Sequence, residues 1–423
     1  MAAQSSSLTT YSALLKEHYL DPGVIRNLRL QMGPLAQQAI DGGDTNCGGK
    51  TIPFPIKIGG NQGRSATFAR AQNNATALVA NNFQLTRNSD YGVTYVDRQT
   101  MLASENIDDA FFKDLVSEVD GIKLSLMQSF SQKLYLDGSG RLGQISAGSS
   151  TSSSAAITLA DVTTAIYFEL GQSIVLGTDS TGATSIRNGN ACVASIQYNG
   201  ANQGQLQFAA QAGGTAAALN TLITGAQASD YIFGDGDQAD AISGIESWIP
   251  STVPASTDSF YTVNRSTNSR LYGLYFNGAA YNIIEALQNT VAQLKTVGGL
   301  KKGGSIKLSP IKWFQLSQTM QSKGMYTNQP NGGVFGFNSL KLSTQAGMID
   351  VEEDYWCPNG IALVQDDNWE LVSIREIGHL EEEDIGNYFL RSSNSDSFEV
   401  RTMYYAQYGS HAPGWSAICA LPS

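Results

Sequence analysis

The chain is 423 residues long, enough for two or three packed units at roughly 100–200 residues per domain. Its 42% apolar content excludes wholesale disorder, while 43 glycines and only 15% charged residues suit a loop-rich, sheet-rich protein with large polar contact surfaces. The net charge of −11 sits between Asp350 and Asp384, where twelve acidic residues accompany one basic residue, Arg375; the rest is formally neutral, so no basic stripe tracks a nucleic-acid backbone.

Residues 1–50 read as an arm of short helical pieces. Leu14, Leu15, His18 and Tyr19 make one small face, and Asp21-Pro22 supplies an N-cap and first-turn proline before Val24, Ile25 and Leu28. Met1 to Tyr19 lacks a basic region followed by an apolar run, so no signal peptide is expected. No apolar run reaches the roughly 18 residues of a membrane span. Residues 51–90 read as an extended hairpin. Ile52-Pro-Phe-Pro-Ile-Lys-Ile58 is a proline-bearing strand, which belongs at a sheet edge or outside a sheet. Beyond Gly59-Gly60, weak alternation runs through Thr67, Phe68, Leu78, Val79, Phe83 and Leu85, giving an arm with little core of its own.

The clearest element follows. Ile107, Phe111, Leu115, Val119, Ile122, Leu126, Phe130 and Leu134 recur in steps of 4, 4, 4, 3, 4, 4 and 4, which predicts one apolar face on a helix over 107–136. Asn106 suits the N-cap, Asp108 and Asp109 suit the first turn, and Lys133 suits the last. Thirty residues make a strut of about 45 Å, an architectural part more than a seat of chemistry.

Ser146 to Ala156, almost all Ser, Ala, Gly and Thr, reads as a flexible connector and domain boundary. Thr158-x-x-Asp161 reads as a capping box before a helix carrying Val162, Ile166 and Leu170. Short strands and glycine loops extend from Ser173 to about Tyr275. Ala279 to Val297 predicts a second helix with Ile283, Leu287, Val291 and Leu294 on one face, and Ser309-Pro310 starts a third with Ile311, Trp313, Phe314, Leu316 and Met320. Strands are expected at Gly360–Gln365, Trp369–Ile374 and Phe398–Tyr408. The class is α+β.

Motifs for chemistry are weak. Gly138-Ser-Gly140-Arg-Leu-Gly143 matches GxGxxG but follows a helix and precedes a Ser-rich loop, the reverse of the dinucleotide context, so it reads as a helix-terminating turn. Gly43 to Thr51 imitates a phosphate loop without its first glycine or following helix. Asp235, Asp237 and Asp240 suggest a calcium loop but lack the turn glycine and terminal bidentate Glu, so a solvated turn is the expectation. The acidic run Glu376 to Asp384 reads as exposed surface. Three histidines (His18, His379, His411) and no GxSxG elbow leave nothing that argues for an enzyme. Cys47, Cys192, Cys357 and Cys419 lie far apart without a CxxC pair, which fits reduced residues. No catalytic, cofactor-binding or metal residues are expected.

Taken in order, Ser104-Glu-Asn-Ile-Asp-Asp-Ala-Phe-Phe112, Leu134-Tyr-Leu-Asp-Gly-Ser-Gly140, Gly244-Ile-Glu-Ser-Trp-Ile249, Ser309-Pro-Ile-Lys-Trp313 and the stretch from Ile361 to Leu380 resemble the major capsid protein of tailed bacteriophages, the Hong Kong 97-type fold. The resemblance implies a Hong Kong 97-like capsid fold with an N-terminal arm (1–50), an extended loop hairpin (51–90), a peripheral domain with the spine helix (91–150), a mainly axial domain with peripheral segments (151–345), and peripheral return strands with the C-terminus (346–423). It implies self-assembly into hexamers and pentamers of an icosahedral shell that encloses double-stranded DNA non-specifically. Portal and scaffolding proteins, cement proteins and no membrane complete the expected partners, with assembly in the host cytoplasm and residence in the virion. The extended loop of this family lies across a neighbour, which makes Phe54, Ile56, Lys57, Phe68 and Phe83 candidates for inter-subunit contact. An encapsulin-like nanocompartment shell is the alternative with the same fold. A surface or adhesion protein lacks the expected repeat or secretion signal, and a hydrolase on the acidic loop would depend on Glu381 or Glu382.

Overall fold

The computed structural model describes residues 32–45, 47–98, 114–198, 203–300, 304–322, 340–380, 390–392 and 396–422. Helices expected before residue 31, and the start of the long helix with Ile107 and Phe111, lie outside them. The chain divides into two compact units. One draws on Gly92–Ser125 and Leu380–Thr402, and the other comprises Met32–Tyr91, Leu126–His379 and Met403–Ser423.

The larger unit opens with α1 (Pro34–Asp41), whose proline sits in the first turn where a missing N–H costs nothing. Strands β1 (Ile52–Gly59) and β2 (Val79–Leu85) then form an antiparallel hairpin, Phe54 opposite Phe83, with the short helix α2 (Phe68–Asn73) at its tip. Pro53 and Pro55 are tolerated because β1 pairs on one side only. Strand β3 (Asn88–Asp97) leads toward the long helix α3 (Asp114–Lys133).

Residues 141–234 build a six-stranded antiparallel sheet from β4 (Arg141–Gln144), β5 (Ala156–Thr158), β6 (Ser173–Gly177), β7 (Ala191–Gln197), β8 (Gln205–Ala209) and β9 (Tyr231–Gly234), in the order β4-β9-β6-β7-β8-β5. The expected flexible connector is therefore an ordered turn inside this sheet, and no domain boundary falls at 150. Its hydroxyls supply the missing ladder: Thr151 donates to Ala226 O at 2.8 Å, and Ser149 Oγ accepts from Thr158 N at 2.8 Å. The capping reading also shifts by three residues. Asp161 itself caps a 3-10 turn, Val162–Tyr167, by accepting from Thr163 N at 2.9 Å, and Leu170 stays exposed beyond it.

A second six-stranded sheet combines β10 (Leu274–Asn277), β11 (Ser305–Leu308), β12 (Leu340–Thr344), β13 (Gly347–Glu353), β14 (Ile361–Gln365) and a strand near the C-terminus, Ala417–Ala420. Helices α4 (Ile283–Thr296) and α5 (Pro310–Ser322) contribute to its core, where Leu287, Val291, Leu294 and Leu316 are fully buried. Asn282 caps α4 through Glu285 N at 3.0 Å, and Gly298 at φ +87° follows it. The expected division at 345/346 cuts a hairpin, because β12 and β13 pair with Leu342 opposite Ile349. The expected return strands β13, β14 and 417–420 likewise belong to this sheet.

Strand β15 (Trp369–Ser373) pairs with the C-terminal half of a long strand, Ser397–Ser410, Leu371 opposite Tyr408. In the smaller unit, Gly92 has no room for a side chain: a Cβ would stand 2.7 Å from Ile122 Cγ1 and 2.9 Å from Thr402 Cγ2. Leu390 there pairs opposite Glu399.

One buried carboxylate joins distant segments of the larger unit. Asp354 is fully buried just after β13 and accepts from Leu35 N at 3.2 Å, Tyr135 Oη at 2.8 Å and Trp356 N at 3.0 Å. It caps α1 from 319 residues away. Gly33 fits beside it because a Cβ would come within 2.2 Å of its Oδ1. Burial pushes the Asp354 carboxyl above its ordinary range, although Tyr135 and the two amides hold it down. Asp354→Ala strands these three donors, and a loss of roughly 3 kcal/mol or more is expected in urea unfolding, with Asp354→Asn less affected.

Candidate assembly surfaces

The hairpin divides into a root and a tip. At the root, Phe54, Ile56, Ile58, Phe83 and Leu85 are buried in the subunit's own core. Phe83 meets Trp248 edge-on at 5.2 Å, Trp248 meets Phe260 at 5.0 Å and Trp369 at 6.2 Å, and the indole N–H donates to Tyr408 O at 3.1 Å. Gly409 lets Phe54 and Leu85 approach, since a Cβ would lie 2.7 Å from Leu85 Cδ2. Phe54, Ile56 and Phe83 are therefore corrected as contact candidates: their surface is already covered within the chain. The hairpin has more core than its alternation suggests because that core comes from residues 248–261 and 369–409.

The tip is different. Helix α2 has no buried residue, Phe68 is 78% exposed, and Lys57, Leu78 and Val79 are also exposed. Its shape is held locally, by Gln62 N donating to Thr76 Oγ1 at 2.9 Å and Ala71 N to Thr67 O at 3.0 Å. Of the five predicted contact residues, only Lys57 and Phe68 remain available to a partner.

On the spine helix, Leu126 and Phe130 are buried and Leu134 is buried in the turn beyond it, while Val119 and Ile122 are half-buried. Leu115 lies in the helix backbone. Phe130 meets Tyr404 edge-on at 5.5 Å. Lys133 does more than complement the helix dipole. Its ammonium is buried and contacts Asp90 Oδ2 at 2.6 Å and Asp237 Oδ1 at 3.0 Å. Asp90 Oδ2 also accepts from Ser129 Oγ at 2.9 Å and Tyr404 Oη at 3.1 Å. Burial disfavours the Lys133 charge, but the two carboxylates outweigh it and raise its pKa. Asp237 thus belongs to a structural ion pair and not to the solvated turn read from its neighbours.

The chemical motifs have ordinary structural roles. Gly138 and Gly140, at φ +83° and +76°, end the helical segment in left-handed turns that L side chains avoid. Asp44 bridges to Val372 in the region that imitates a phosphate loop. His411 stacks on Phe54 at 4.2 Å and contacts Glu370 at 2.9 Å, and His379 contacts Arg375 at 3.2 Å. Among the described residues, all four cysteines are free, and no group of three or more His, Cys, Asp or Glu could hold a metal ion. A cavity of about 760 Å³ beside the hairpin root is lined by Lys57, Arg270, His411, Val253, Leu274 and Trp415, among others, without a carboxylate.

The acidic segment is not uniformly solvated. Asp354 and Asp366 are buried, Asp350 pairs with Lys341 at 2.8 Å, and Glu352 reaches the buried Lys307 at 3.4 Å. Glu381 to Asp384 lie outside the described residues.

The whole chain superposes on known shells. A cyanophage A-1(L) capsid chain matches with a TM-score of 0.58 at 12% identity, covering 99% of both chains. A chain of the capsid of a native GTA particle matches at 0.52 and 9% identity, covering 100% of both. The chain therefore has a viral-capsid fold. Its particular type is the Hong Kong 97 fold of tailed-phage shell proteins, structural proteins and not enzymes. No protein-family profile and no curated protein matches it in sequence.

Glu246, in the short helix Ile245–Trp248, carries a pH-dependent term. Burial and the nearby Asp137 push its pKa from 4.5 up to about 7, against the pull of Arg141, 3.9 Å away. The folded state then binds the proton more tightly than the unfolded state, so stability falls as pH rises from 4.5 to about 7 and levels off above. Its side chain is 31% exposed. That exposure discounts the effect to about 1–2 kcal/mol. Glu246→Gln should flatten this part of the stability profile in urea titrations at pH 5 and pH 7.5.

Proposed function

We propose that the chain is a major capsid protein that self-assembles into the icosahedral shell around the double-stranded DNA of a tailed phage. The observation that carries the reading is the fold match over essentially the full length of both chains. The exposed, ordered hairpin tip supports it, since such an excursion is stabilised only when neighbours cover it. The spine helix and long strand belong to a peripheral domain in this reading, and the α4–α5 sheet is the axial domain. Hexamers and pentamers form the shell, portal and scaffolding proteins direct its closure in the host cytoplasm, and cement proteins are further partners. DNA is enclosed non-specifically by a surface that is neutral outside the acidic segment.

Electron microscopy of the purified chain, alone and co-expressed with its neighbouring genes, tests the reading. Closed particles tens of nanometres across that contain DNA are expected; a persistent monomer under both conditions would sink it. Particles filled with protein cargo would identify a nanocompartment instead. Deleting residues 60–78, which spares the buried root, should leave a folded chain with an unchanged urea midpoint that yields no shells.

A further inference from the structure

Between residues 51 and 89 the chain carries Lys57, Arg64, Arg70 and Arg87 and no Asp or Glu. Arg87 is used at the root, donating to Cys47 O at 2.7 Å and to Gly49 O. Arg64 and Arg70 are exposed on the tip, on either side of Phe68, and no described carboxylate pairs with them. An apolar ring between two cations is a compact recognition element.

The complementary charge lies on the same chain. In the described acidic segment, Asp350, Glu352 and Glu370 have cationic partners, while Asp354 and Asp366 are buried. Glu353, Asp367 and Glu376 are exposed, and none pairs with a described cation. We infer that the Arg64–Phe68–Arg70 tip of one copy docks on the Glu353, Asp367 and Glu376 surface of a second copy. This deepens the shell reading and rests on it. Paired charges set the register between copies, while Phe68 loses its water-exposed surface. The pairing also gives the local acid excess a partner, so the neutral remainder of the chain needs no other counter-charge.

Charge reversal tests the pairing in nuclease-treated protein. Arg64→Glu with Arg70→Glu, and separately Glu353→Lys with Asp367→Lys and Glu376→Lys, should each lower the particle yield at least tenfold while leaving the circular dichroism of the subunit unchanged. Combining the two sets in one chain should restore particles, and raising salt from 50 to 500 mM should weaken wild-type assembly. Tip reversal that leaves the yield unchanged, or a combined chain no better than either parent, would overturn the pairing while wild-type shells still form. Defects confined to reactions with added double-stranded DNA would assign the tip to nucleic acid and equally overturn it. A wild-type chain that never assembles would refute the shell reading itself.

Discussion

The Asp354 carboxylate constrains more of the chain than any other single group. A buried charge is costly unless its oxygens are satisfied. Here the donors come from the arm helix, from the exit of the spine helix and from the turn after β13. Satisfying one carboxylate therefore fixes three chain segments together. Lys307, buried in the adjacent strand, extends this by holding Gln38 of the arm at 2.8 Å. The arm is docked by polar geometry as well as by Leu35, Ala36 and Ala39, which are buried beneath it. A purely apolar seat would tolerate sliding along the helix axis; capping from Asp354 sets one register.

Lys133 plays the corresponding role at the other end of the spine helix. Its two carboxylates come from β3 and from the loop after β9, so the helix terminus, a strand and a sheet loop meet around one ammonium. Both anchors lie at the helix exit, leaving the remainder of its face to apolar packing. Rigid roots with an exposed tip are a reasonable division for a subunit that keeps its fold while acquiring neighbours.

Local pattern was readable and long-range pairing was not. The face of α4 followed from a 3–4 spacing, and Asn282 and Gly298 marked its ends. The proline-bearing β1 had to lie at an edge, as it does. The apolar steps of the spine helix led to Phe130 and Leu134, whose burial follows from period alone. The Ser-rich stretch misled because hydroxyls that suit a linker equally satisfy a tight turn, and only Ala226, 75 residues on, decides between them. Asp354 was indistinguishable from its acidic neighbours, because burial and three donors are properties of the fold. Phe54 and Phe83 looked like contact residues because their aromatic partners lie more than a hundred positions away. Thr344 to Gly347 joins β12 to β13 without a strong turn signature, so a domain boundary was placed where a hairpin exists.

The strand Ala417–Ala420 lies in the interior of its sheet, parallel to β10 on one side and antiparallel to β14 on the other, with Ile418 and Cys419 buried. Neither neighbour can meet its full partner row until residue 420 has left the ribosome. The second sheet is thus completed late in translation, whatever has folded before it, because its pairing spans more than 140 residues of chain. Nascent chains on one polysome remain unfinished in this sheet while they are crowded together, and only released chains present the completed surface. Synthesis order therefore acts as a timer on subunit maturation, built into the topology without a dedicated segment.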